Sequence, residues 1–434
     1  MTALMFCCQK LVHSPVYLQS SIMNSAEKNF TVWDIVRPMY IILRFFGLAP
    51  FSIVGDMKDG KIITSVLNIV HVVFILGLQI YAMNLNINQD LSLSRTSSFL
   101  IDKGAHGIEI FNGFNLLLGT FLYGTYRKRI WRILRTYHEI DKEMLKLGFD
   151  PNKNTRKRLI IANLGLISLF TFMMIASLLL LLRVIDGQML QPFIISYSVS
   201  NTYMTLFSMG FCLILYAAYR RFDTINECIK YNFKTEEEDV QKVFPKNSLS
   251  PQRLIIKLAD LHDSLNDCVV DLNHCYSFEI MFSFASAFLF NIFSIFSLYR
   301  IFVRQNYTHI IEAIVQSSWN LYFYFYCFAI ITLSSMLTRS GKFSAVLCHK
   351  AINYSNDDSI IDHFRLFSQQ MRHRAPIVSC GLFTFDFTLL FTILGATATY
   401  IVILIQFDST PETSSSSANA TSLDNSTLYP NSTF

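Results

Sequence analysis

Charged residues are scarce in this sequence of 434 residues, since Asp, Glu, Lys and Arg together make up only 15% of it. A typical soluble domain carries about 25%. Apolar residues account for 52% of the chain, and Phe alone occurs 39 times. A chain this apolar would not remain soluble as a set of globular domains, and it is not intrinsically disordered. The composition therefore predicts a membrane protein.

Several features of enzymes are also missing from the sequence. The nine cysteines have no paired spacing typical of zinc sites, and no phosphate-binding glycine loop occurs. Only His71 lies well inside an apolar stretch, so the intramembrane histidines of a seven-span zinc hydrolase are not available. The N-terminus lacks the apolar core and cleavage site of a signal peptide. We expect no catalysis, no metal and no cofactor, and we expect insertion to start from an internal span.

What the chain has instead is a series of long apolar stretches. A transmembrane helix needs about 20 mostly apolar residues. Seven stretches qualify, at roughly 63–83, 105–126, 159–182, 193–219, 278–302, 310–338 and 378–407. The second is weakened by Glu109, Asn112 and Asn115, and the seventh is long enough to contain a short inner helix before a true span from about Phe387. The sequence thus predicts an all-α membrane protein with seven transmembrane helices.

One further apolar stretch, 38–54, is shorter than a span and contains Arg44 and Pro50. We predict that it forms an interfacial or re-entrant helix. If it crossed the membrane, the chain would have eight spans. It belongs to a cytoplasmic N-terminal segment, 1–62, which precedes the seven-helix domain, 63–407.

The basic residues lie almost entirely on one side of the predicted bundle. Arg95, Lys103, Arg183, Arg300 and Arg304 are the only ones outside the N-terminal segment and the connections 127–158, 220–277 and 339–377. Cytoplasmic loops are enriched in Lys and Arg. We therefore predict a cytoplasmic N-terminus, cytoplasmic helical extensions in those three connections and an extracellular C-terminus. The net charge of +5 reflects topology, so we expect membrane lipid as a partner and no nucleic acid.

The C-terminal tail, 408–434, is rich in Ser, Thr and Asn and fits an extracellular location. N-glycosylation sequons occur in predicted outer segments at Asn306, Asn419, Asn425 and Asn431. Two more, at Asn29 and Asn353, fall on predicted inner segments and should remain unused.

Two of the predicted cytoplasmic extensions show helical spacing of apolar residues. The first set is Ile130, Ile133, Tyr137, Ile140, Met144 and Leu147, and the second is Leu254, Leu258, Leu261, Leu265, Cys268 and Leu272. Both patterns predict amphipathic helices. The spacing favours packing on the subunit's own helices over a platform that holds several subunits together.

Polar and aromatic side chains are clustered in the outer half of the predicted bundle. Gln316, Trp319, Asn320 and Phe323 share one face of the sixth span, Tyr197 and Asn201 lie on the fourth, and Asn291 and Ser294 lie on the fifth. Amides can hydrogen-bond hydroxyl groups and flat rings can cover apolar faces, which suits a small neutral ligand. For any single residue the alternative, a polar contact between helices, is favoured. For the group we predict a binding pocket.

The last span ends in a distinctive pattern, Thr399-Tyr400, an aliphatic run at 401–405, then Gln406-Phe407. Thr399, Ile403 and Gln406 share one helical face. In a symmetric oligomer this face would supply an aliphatic constriction and a ring of neutral amides, which could gate by dewetting and pass cations with little discrimination. An interfacial Gln at the end of a simple helix fits the spacing equally well.

Two other classes of membrane protein fit less well. A G-protein-coupled receptor would have an extracellular N-terminus, an Asp/Glu-Arg-Tyr triplet after the third span and Asn-Pro-x-x-Tyr in the seventh, none of which this sequence predicts or contains. A secondary transporter usually shows internal repeats and broken helices, and we find no repeat. A multi-pass transporter or a non-channel chemoreceptor subunit stays as the alternative.

The Thr399-Tyr400 and Gln406-Phe407 pattern resembles the terminal motif of insect gustatory receptors, which are similar in length and have seven spans and an inside N-terminus. The stretch 258–268, Leu-Ala-Asp-Leu-His-Asp-Ser-Leu-Asn-Asp-Cys, adds to the resemblance. It implies a tastant-gated, non-selective channel for monovalent and divalent cations in the plasma membrane of sensory neurons. It also implies a homotetramer, or a heteromer with related receptors, built around the last helix and a cytoplasmic anchor. The ligand would be a small molecule such as a sugar or a bitter plant compound.

The resemblance also implies roles for individual residues. Gln406 matches the pore-lining glutamine, Ile403 and Phe407 fall at or beside the gate, and Thr399 and Tyr400 complete the motif. Gln316 and Trp319 match a Gln-x-x-Trp pattern of fructose-type receptors, and Leu48-Ala49-Pro50 resembles their N-terminal region. The Ser/Asn-rich tail departs from the family, whose members usually end soon after Gln-Phe.

Overall fold

Most of the chain is described by a computed structural model. It describes residues 32–47, 49, 51–54, 60–64, 66–88, 99–152, 155–181, 190–233, 235, 249–304 and 310–409. The four sequons predicted to be used, at Asn306, Asn419, Asn425 and Asn431, and almost all of the tail lie outside these residues.

The described residues are almost entirely helical. The helices are α1 (Val32–Phe45), α2 (Val66–Asn88), α3 (Phe99–Lys146), α4 (Thr155–Leu181), α5 (Leu190–Asn232), α6 (Pro251–Arg304), α7 (Ile310–Asn353), α8 (Asp358–His373) and α9 (Phe387–Ser409). The helices α2 to α7 and α9 fall on the seven predicted spans. By length and composition, five of them (α2, α5, α6, α7 and α9) contain a stretch apolar enough to cross a membrane, and α4 contains a shorter apolar stretch, Gly165–Leu180.

The helix α3 carries polar residues in its membrane portion, and the structure shows where they point. The Ser286 hydroxyl of α6 donates a hydrogen bond to Asn112, and the Asn115 amide donates to the sulfur of Met204 on α5 at 3.4 Å. These side chains therefore face other helices of the chain, which explains why the hydropathy of this span is low although it belongs to the bundle.

The longest helices extend well beyond any membrane. At about 1.5 Å per residue, the 54 residues of α6 measure about 80 Å, whereas a hydrocarbon core is about 30 Å thick. The excess lies at the N-terminal end of α6, which packs on the C-terminal end of α3. Every apolar residue of the two amphipathic patterns predicted from the sequence is buried there in the chain's own core. This agrees with packing on the subunit's own helices.

Charged side chains add to this extramembrane packing. Arg221 of α5 and Asp141 of α3 form a buried ion pair with Nη2 and Oδ2 2.6 Å apart. The Asn152 amide also donates to this carboxylate, at 3.1 Å, and the Arg221 guanidinium lies over the Tyr137 ring. At the surface, Lys257 of α6 reaches Glu143 of α3 at 3.1 Å. The partner charge and the additional hydrogen bonds compensate part of the desolvation, while Oδ1 of Asp141 and Nε of Arg221 are buried without a hydrogen bond among the described residues.

The predicted extension at 127–158 is not one helix. The helix α3 ends at Lys146, and the chain turns at Gly148, whose φ of 88° is readily adopted only by glycine. The next helix, α4, begins at Thr155. The apolar pattern stops at Leu147 for this reason, although the basic residues continue beyond it.

The predicted helix over 38–54 is wrong in its bounds. The helix α1 ends at Phe45, the chain turns at Gly47 with a φ of 71°, and β1 (Ser52–Val54) pairs antiparallel with β2 (Lys61–Ile63). The Tyr40 hydroxyl donates to the carbonyl of Phe51 at 2.8 Å and accepts from the Ile53 amide at 3.1 Å. This bridge holds the strand against α1, so the apolar residues after Gly47 extend as a strand.

The predicted seventh stretch, 378–407, contains a helix only from Phe387, as expected for the true span. The expected short inner helix is replaced by a tight turn. Its ends are joined by an antiparallel bridge between Ser379 and Thr384, and Gly381 within it has a φ of 85°. The Asp386 carboxylate then caps α9 by accepting the amides of Thr388 at 2.9 Å and Leu389 at 3.2 Å.

Candidate functional site

The helix α9 contacts its own chain along one side. Its buried and half-buried positions follow helical spacing and cover about half of the helix circumference, consisting of Leu389, Leu390, Ile393, Ala396, Thr397, Ile401, Leu404, Ile405 and Asp408. The Thr397 hydroxyl lies 3.4 Å from the Asn291 amide nitrogen of α6, and Asp408 pairs with Arg300 of the same helix. The bundle therefore holds α9 along one side and at its C-terminal end.

A second stripe of α9 lies on the opposite side of the helix and is exposed. It consists of Thr388, Thr392, Gly395, Thr399, Ile403 and Gln406. At about 100° per residue these positions are centred about half a turn from Thr397. We call this set the α9 outer stripe. It is the more polar side of an otherwise apolar helix, and it points away from the chain's own bundle.

The remaining pore residues predicted from the sequence lie beside this stripe. Tyr400 packs edge-on against Phe288 of α6, with ring centroids 5.9 Å apart, and 52% of its side chain is exposed. Phe407 is 67% exposed and lies on the same side of the helix as Tyr400. Thr399, Ile403 and Gln406 thus share the outer stripe, whereas Tyr400 and Phe407 flank it.

The predicted ligand residues divide into two groups on different sides of α7. In the first group, the Asn320 amide donates to Oδ1 of Asn291 at 2.7 Å. The Asn291 amide in turn donates to the Tyr324 hydroxyl at 2.7 Å and lies close to Thr397. We call this set the amide junction. It joins α6, α7 and α9 inside the bundle. Ser294 lies next to it and shares a hydrogen bond with Ser317 at 3.1 Å.

The second group surrounds Trp319, on the side of α7 that faces α4. The indole Nε1 donates to the Ser177 hydroxyl of α4 at 2.8 Å. The Trp319 ring meets Phe170 edge-on and also contacts Phe323, with centroids 6.1 Å and 5.8 Å away. Trp319 is almost fully buried, so α4 and α7 pack together here through a cluster of aromatic rings.

Gln316 lies one turn before Trp319 on α7 and is 5% exposed. Among the residues that the structure describes, its Oε1 is buried and accepts no hydrogen bond. A buried amide acceptor in this state is unfavourable by about 1–3 kcal/mol. This unsatisfied oxygen beside an aromatic lining is what a site for a hydroxyl-bearing ligand requires. Asn201 is half-buried on α5, and the side chain of Tyr197 lies outside the described residues.

Polar residues of α6, most of them in the 258–268 stretch, hold the segment leading into α9, a role that the sequence did not predict for them. Arg374 pairs with Asp263 at 2.6 Å and with Asp267. The Asn266 amide donates to the carbonyl of Arg374, and the Asn273 amide donates to that of Ile377, both at 2.7 Å. The polar positions of the 258–268 stretch therefore fix the start of the last span. Their helical spacing on the side opposite the apolar pattern was the available signal.

The chain resembles known proteins over most of its length. Residues 36–411 match a family described as 7tm Chemosensory receptor. Gustatory receptor 28b of Drosophila melanogaster is 22% identical over 419 residues, covering 87% of this chain and 86% of that protein. Gustatory receptor 28a of the same organism is 29% identical over 178 residues, and this match spans only 40% of either chain.

The fold has been seen in a solved structure. The olfactory receptor OR5 of Machilis hrabei superposes with a TM-score of 0.62 over 86% of this chain and 98% of that one, at 12% identity. The same receptor in complex with eugenol gives a TM-score of 0.61. At this level of identity the likeness shows the fold alone. Together with the family match, it identifies the predicted spans as the transmembrane helices of a seven-helix receptor fold.

Proposed function

This chain belongs to the 7tm chemosensory receptor family, and on that premise we propose that it is a gustatory receptor acting as a tastant-gated, non-selective cation channel. As a relative of insect gustatory receptors it is a multi-pass membrane protein. Our proposal adds the plasma membrane of sensory neurons, a cytoplasmic N-terminus and an extracellular C-terminus, which the distribution of basic residues supports.

The observation that carries the proposal is the α9 outer stripe. Hydroxyl, amide and glycine positions face away from the bundle along a helix that is otherwise apolar. Polar groups that face lipid are unfavourable, and in membrane proteins they line a protein interface or a water-filled path. A transporter or a non-channel subunit gives no reason for such a stripe to lie opposite the side of α9 that contacts its own chain.

One copy of α9 cannot enclose a pore, so the proposal requires several copies around a common axis. We propose four, as a homotetramer or as a heteromer with related receptors. Gln406 then contributes a ring of neutral amides near the outer end, and Ile403 contributes an aliphatic ring one turn below it. Neutral amides provide no net charge to select between monovalent and divalent cations.

The tastant pocket in this proposal lies on the Trp319 side of α7. The unsatisfied Gln316 oxygen and the rings of Trp319 and Phe323 suit a small ligand with hydroxyl groups and an apolar face. The neighbouring OR5 has been solved with eugenol, a small molecule. A sugar or a bitter plant compound has the required chemistry for this chain.

The amide junction offers a route from this pocket to the pore. Asn320 follows Trp319 directly and reaches Asn291, which contacts Thr397 on α9. A small rotation of α7 around a bound ligand changes this hydrogen-bond chain, and so changes how α9 is held. We propose that the junction couples ligand binding to channel opening. Such coupling requires that the ligand interacts more favourably with the open state than with the closed state.

The proposal is tested by expressing the chain in oocytes and recording current during application of a tastant panel. We expect a ligand-evoked inward current at negative voltage. Gln406→Glu, which places a ring of carboxylates in the pore, should increase the calcium permeability relative to sodium several-fold. Leu394→Ala, on a lateral face of α9, should leave the reversal potential unchanged. Identical permeation in wild type and Gln406→Glu would exclude α9 from the pore.

Topology is tested separately with an epitope tag after Phe434. We expect antibody labelling of intact cells. A tag that is reached only after permeabilisation would reverse the proposed orientation without bearing on the channel.

A further inference from the structure

A cavity of about 200 Å³ lies between α2 and α3, within the apolar stretches of both helices. Its α2 wall includes Gln79, Ile80 and Met83, which share one helical face, and its α3 wall includes Gly113, Phe114 and Leu116. None of these residues belongs to the Trp319 group, to the amide junction or to the α9 outer stripe. No step of the proposed channel mechanism uses this cavity.

Gly113 is the residue that leaves this space open. A Cβ atom at this position would lie 2.7 Å from Sδ of Met83, which is closer than two atoms without a bond between them can approach. Because glycine has no side chain, α3 presents only its backbone here, and the flexible end of Met83 crosses toward it. Unfilled volume adjoins this contact, so the atoms that line it lack attractive van der Waals partners. An apolar ligand would supply those partners.

The surface of the cavity is apolar. Leu116 closes the back of it and is 1% exposed. Gln79 is the one polar residue of the lining, and no polar atom of these lining residues faces the cavity. The Gln79 amide instead donates to the Ser200 hydroxyl of α5 at 2.9 Å. A cavity with such a surface stays dry, because a water molecule needs polar partners. A ligand rich in hydroxyl groups would gain no hydrogen bond here, unlike a ligand beside Gln316.

The mouth of the cavity opens on the lipid side of the bundle. Ile80 and Phe114 form its rim, and their side chains are 50% and 51% exposed. Most of the apolar stretch Val66–Leu85 of α2 is exposed as well. The medium beside exposed apolar side chains at this depth of a membrane is hydrocarbon. A molecule that reaches the cavity therefore dissolves in the bilayer first.

We infer that this cavity binds a compact apolar molecule, such as a substituted benzene or a cyclic hydrocarbon of similar size, which enters from the bilayer. An engineered apolar cavity of about 150 Å³, lined by Leu, Ile and Phe, binds benzene. At about 200 Å³, the cavity between α2 and α3 has room for one ring with small substituents. The inference requires only that the chain spans a membrane, and it uses neither the channel proposal nor the proposed orientation.

Two other occupants fit the cavity less well. Its α2 wall runs from Leu76 to Met83, about 10 Å along the helix axis. A lipid acyl chain could place only a few methylene groups there, and the remainder of the chain would lose conformational freedom. A helix of a second copy, at about 10 Å in diameter, could cover the mouth without filling the cavity. A compact ring fills the cavity without either cost.

The test uses the purified full-length chain in phosphatidylcholine nanodiscs. The chain is photolabelled with trifluoromethyl phenyldiazirine, an apolar benzene derivative, and the labelled residues are mapped by mass spectrometry. We expect adducts on Met83 and Leu116 that saturating toluene reduces about tenfold, since a site of fixed capacity obeys mass action. Adducts on Val73 of α2, which is 63% exposed, should not respond to toluene, because they report contact with bulk lipid.

Variants with a filled and an enlarged cavity sharpen this test. Gly113→Ala adds a methyl group that displaces Met83 into the cavity, and the toluene-sensitive labelling should fall about tenfold, as expected for overpacking. The matched control is Gly77→Ala on α2, whose added Cβ meets no atom within 4 Å, and its labelling should equal that of the wild type. Met83→Ala enlarges the cavity, so naphthalene should compete more strongly than it does in the wild type. This second variant keeps the test decisive if Gly113→Ala does not fold.

Adducts on Met83 and Leu116 that toluene does not reduce would overturn the inference, as would equal labelling of Gly113→Ala and Gly77→Ala. Toluene-resistant adducts from a phosphatidylcholine with a diazirine in its acyl chain would identify a lipid chain as the occupant instead. A photoreactive residue in place of Phe114 that forms an adduct with a second copy would identify an interface instead. None of these measurements uses current, so they can fail while the channel proposal stands, and the reverse also holds.

Discussion

Nε of Arg300 lies 3.3 Å from Oδ1 of Asp408, and the two side chains are 4% and 15% exposed. The pair joins the C-terminal end of α6 to the last turn of α9, two residues beyond Gln406. The C-terminal end of the proposed pore helix is thus fixed to its own bundle by a nearly buried ion pair. The rest of α9 is attached by the buried and half-buried side chains on one side of the helix.

We predict that Asp408→Asn destabilises the protein by about 3 kcal/mol, because it leaves the Arg300 guanidinium buried without its counter-charge. The expected observation is a lower thermal midpoint of the detergent-purified chain. The conservative variant Asp408→Glu should retain most of the stability.

The charge-swapped double variant Arg300→Asp/Asp408→Arg distinguishes the pair from two independent effects. If the pair matters, the double variant is more stable than the sum of the two single changes predicts. Additive losses would show that the two residues act separately.

Cysteine substitution tests the two opposite sides of α9. In Thr399→Cys, on the outer stripe, a charged methanethiosulfonate reagent applied during ligand-evoked current should reduce that current several-fold, because the thiol lies in the water-filled path. Leu404→Cys, on the side that contacts the bundle, is the matched control and should be insensitive. Equal sensitivity at both positions would contradict the placement of the outer stripe on the pore axis.

Trp319→Phe removes the indole N–H while keeping an aromatic ring, and Ser177→Ala removes the same hydrogen bond from the other partner. If Trp319 only joins α4 to α7, Ser177→Ala loses about 1 kcal/mol of stability, Trp319→Phe loses more because the smaller ring leaves a cavity, and the two variants give the same tastant dose response. If its ring lines the pocket, Trp319→Phe should raise the half-maximal tastant concentration about tenfold more than Ser177→Ala. The comparison is made on dose–response curves with surface expression matched.

The start of α9 depends on Asp386. Removal of its side chain in Asp386→Ala should destabilise the protein by about 1 kcal/mol, and Asp386→Asn, which can still cap the helix, should be nearly neutral. The hydrogen bond from the Thr384 hydroxyl holds the pKa of the Asp386 carboxyl below its usual range. The hydrogen bond from the backbone amide of Leu389 lowers this pKa to a smaller extent.

This pKa shift gives the acid dependence of the cap a definite sign. An unfolded Asp titrates near pH 4, so the stabilisation is complete above about pH 4 and is lost as the pH falls through the lower folded pKa. The thermal midpoint of Asp386→Asn should therefore change less than that of the wild type as the pH is lowered from 5 to about 3. A wild type and variant that lose stability in parallel over this range would contradict the assignment.

Hydropathy and helical spacing predicted most of the helices and many of the buried residues, because both depend only on the local sequence. The seven apolar stretches correspond to helices, the true start of the last span falls at Phe387, and the periodic residues of 127–158 and 254–272 are buried as their spacing indicated. The errors lie where a backbone turn interrupts an apolar run. Gly47 follows the end of α1 and Gly381 lies in the turn before α9, and a hydropathy window does not register their positive φ.

The sequence by itself thus determined that the chain crosses a membrane several times and which residues of the two amphipathic patterns are buried. Its basic residues are the basis of the proposed orientation. Only the tertiary structure decided which polar side chains meet. It separated Trp319 from Asn320, two neighbours in sequence, because a helix turns by about 100° between them. It also brought Asn291 and Arg300 of α6 to Thr397 and Asp408 of α9, residues more than a hundred positions apart, because their contact depends on how whole helices pack.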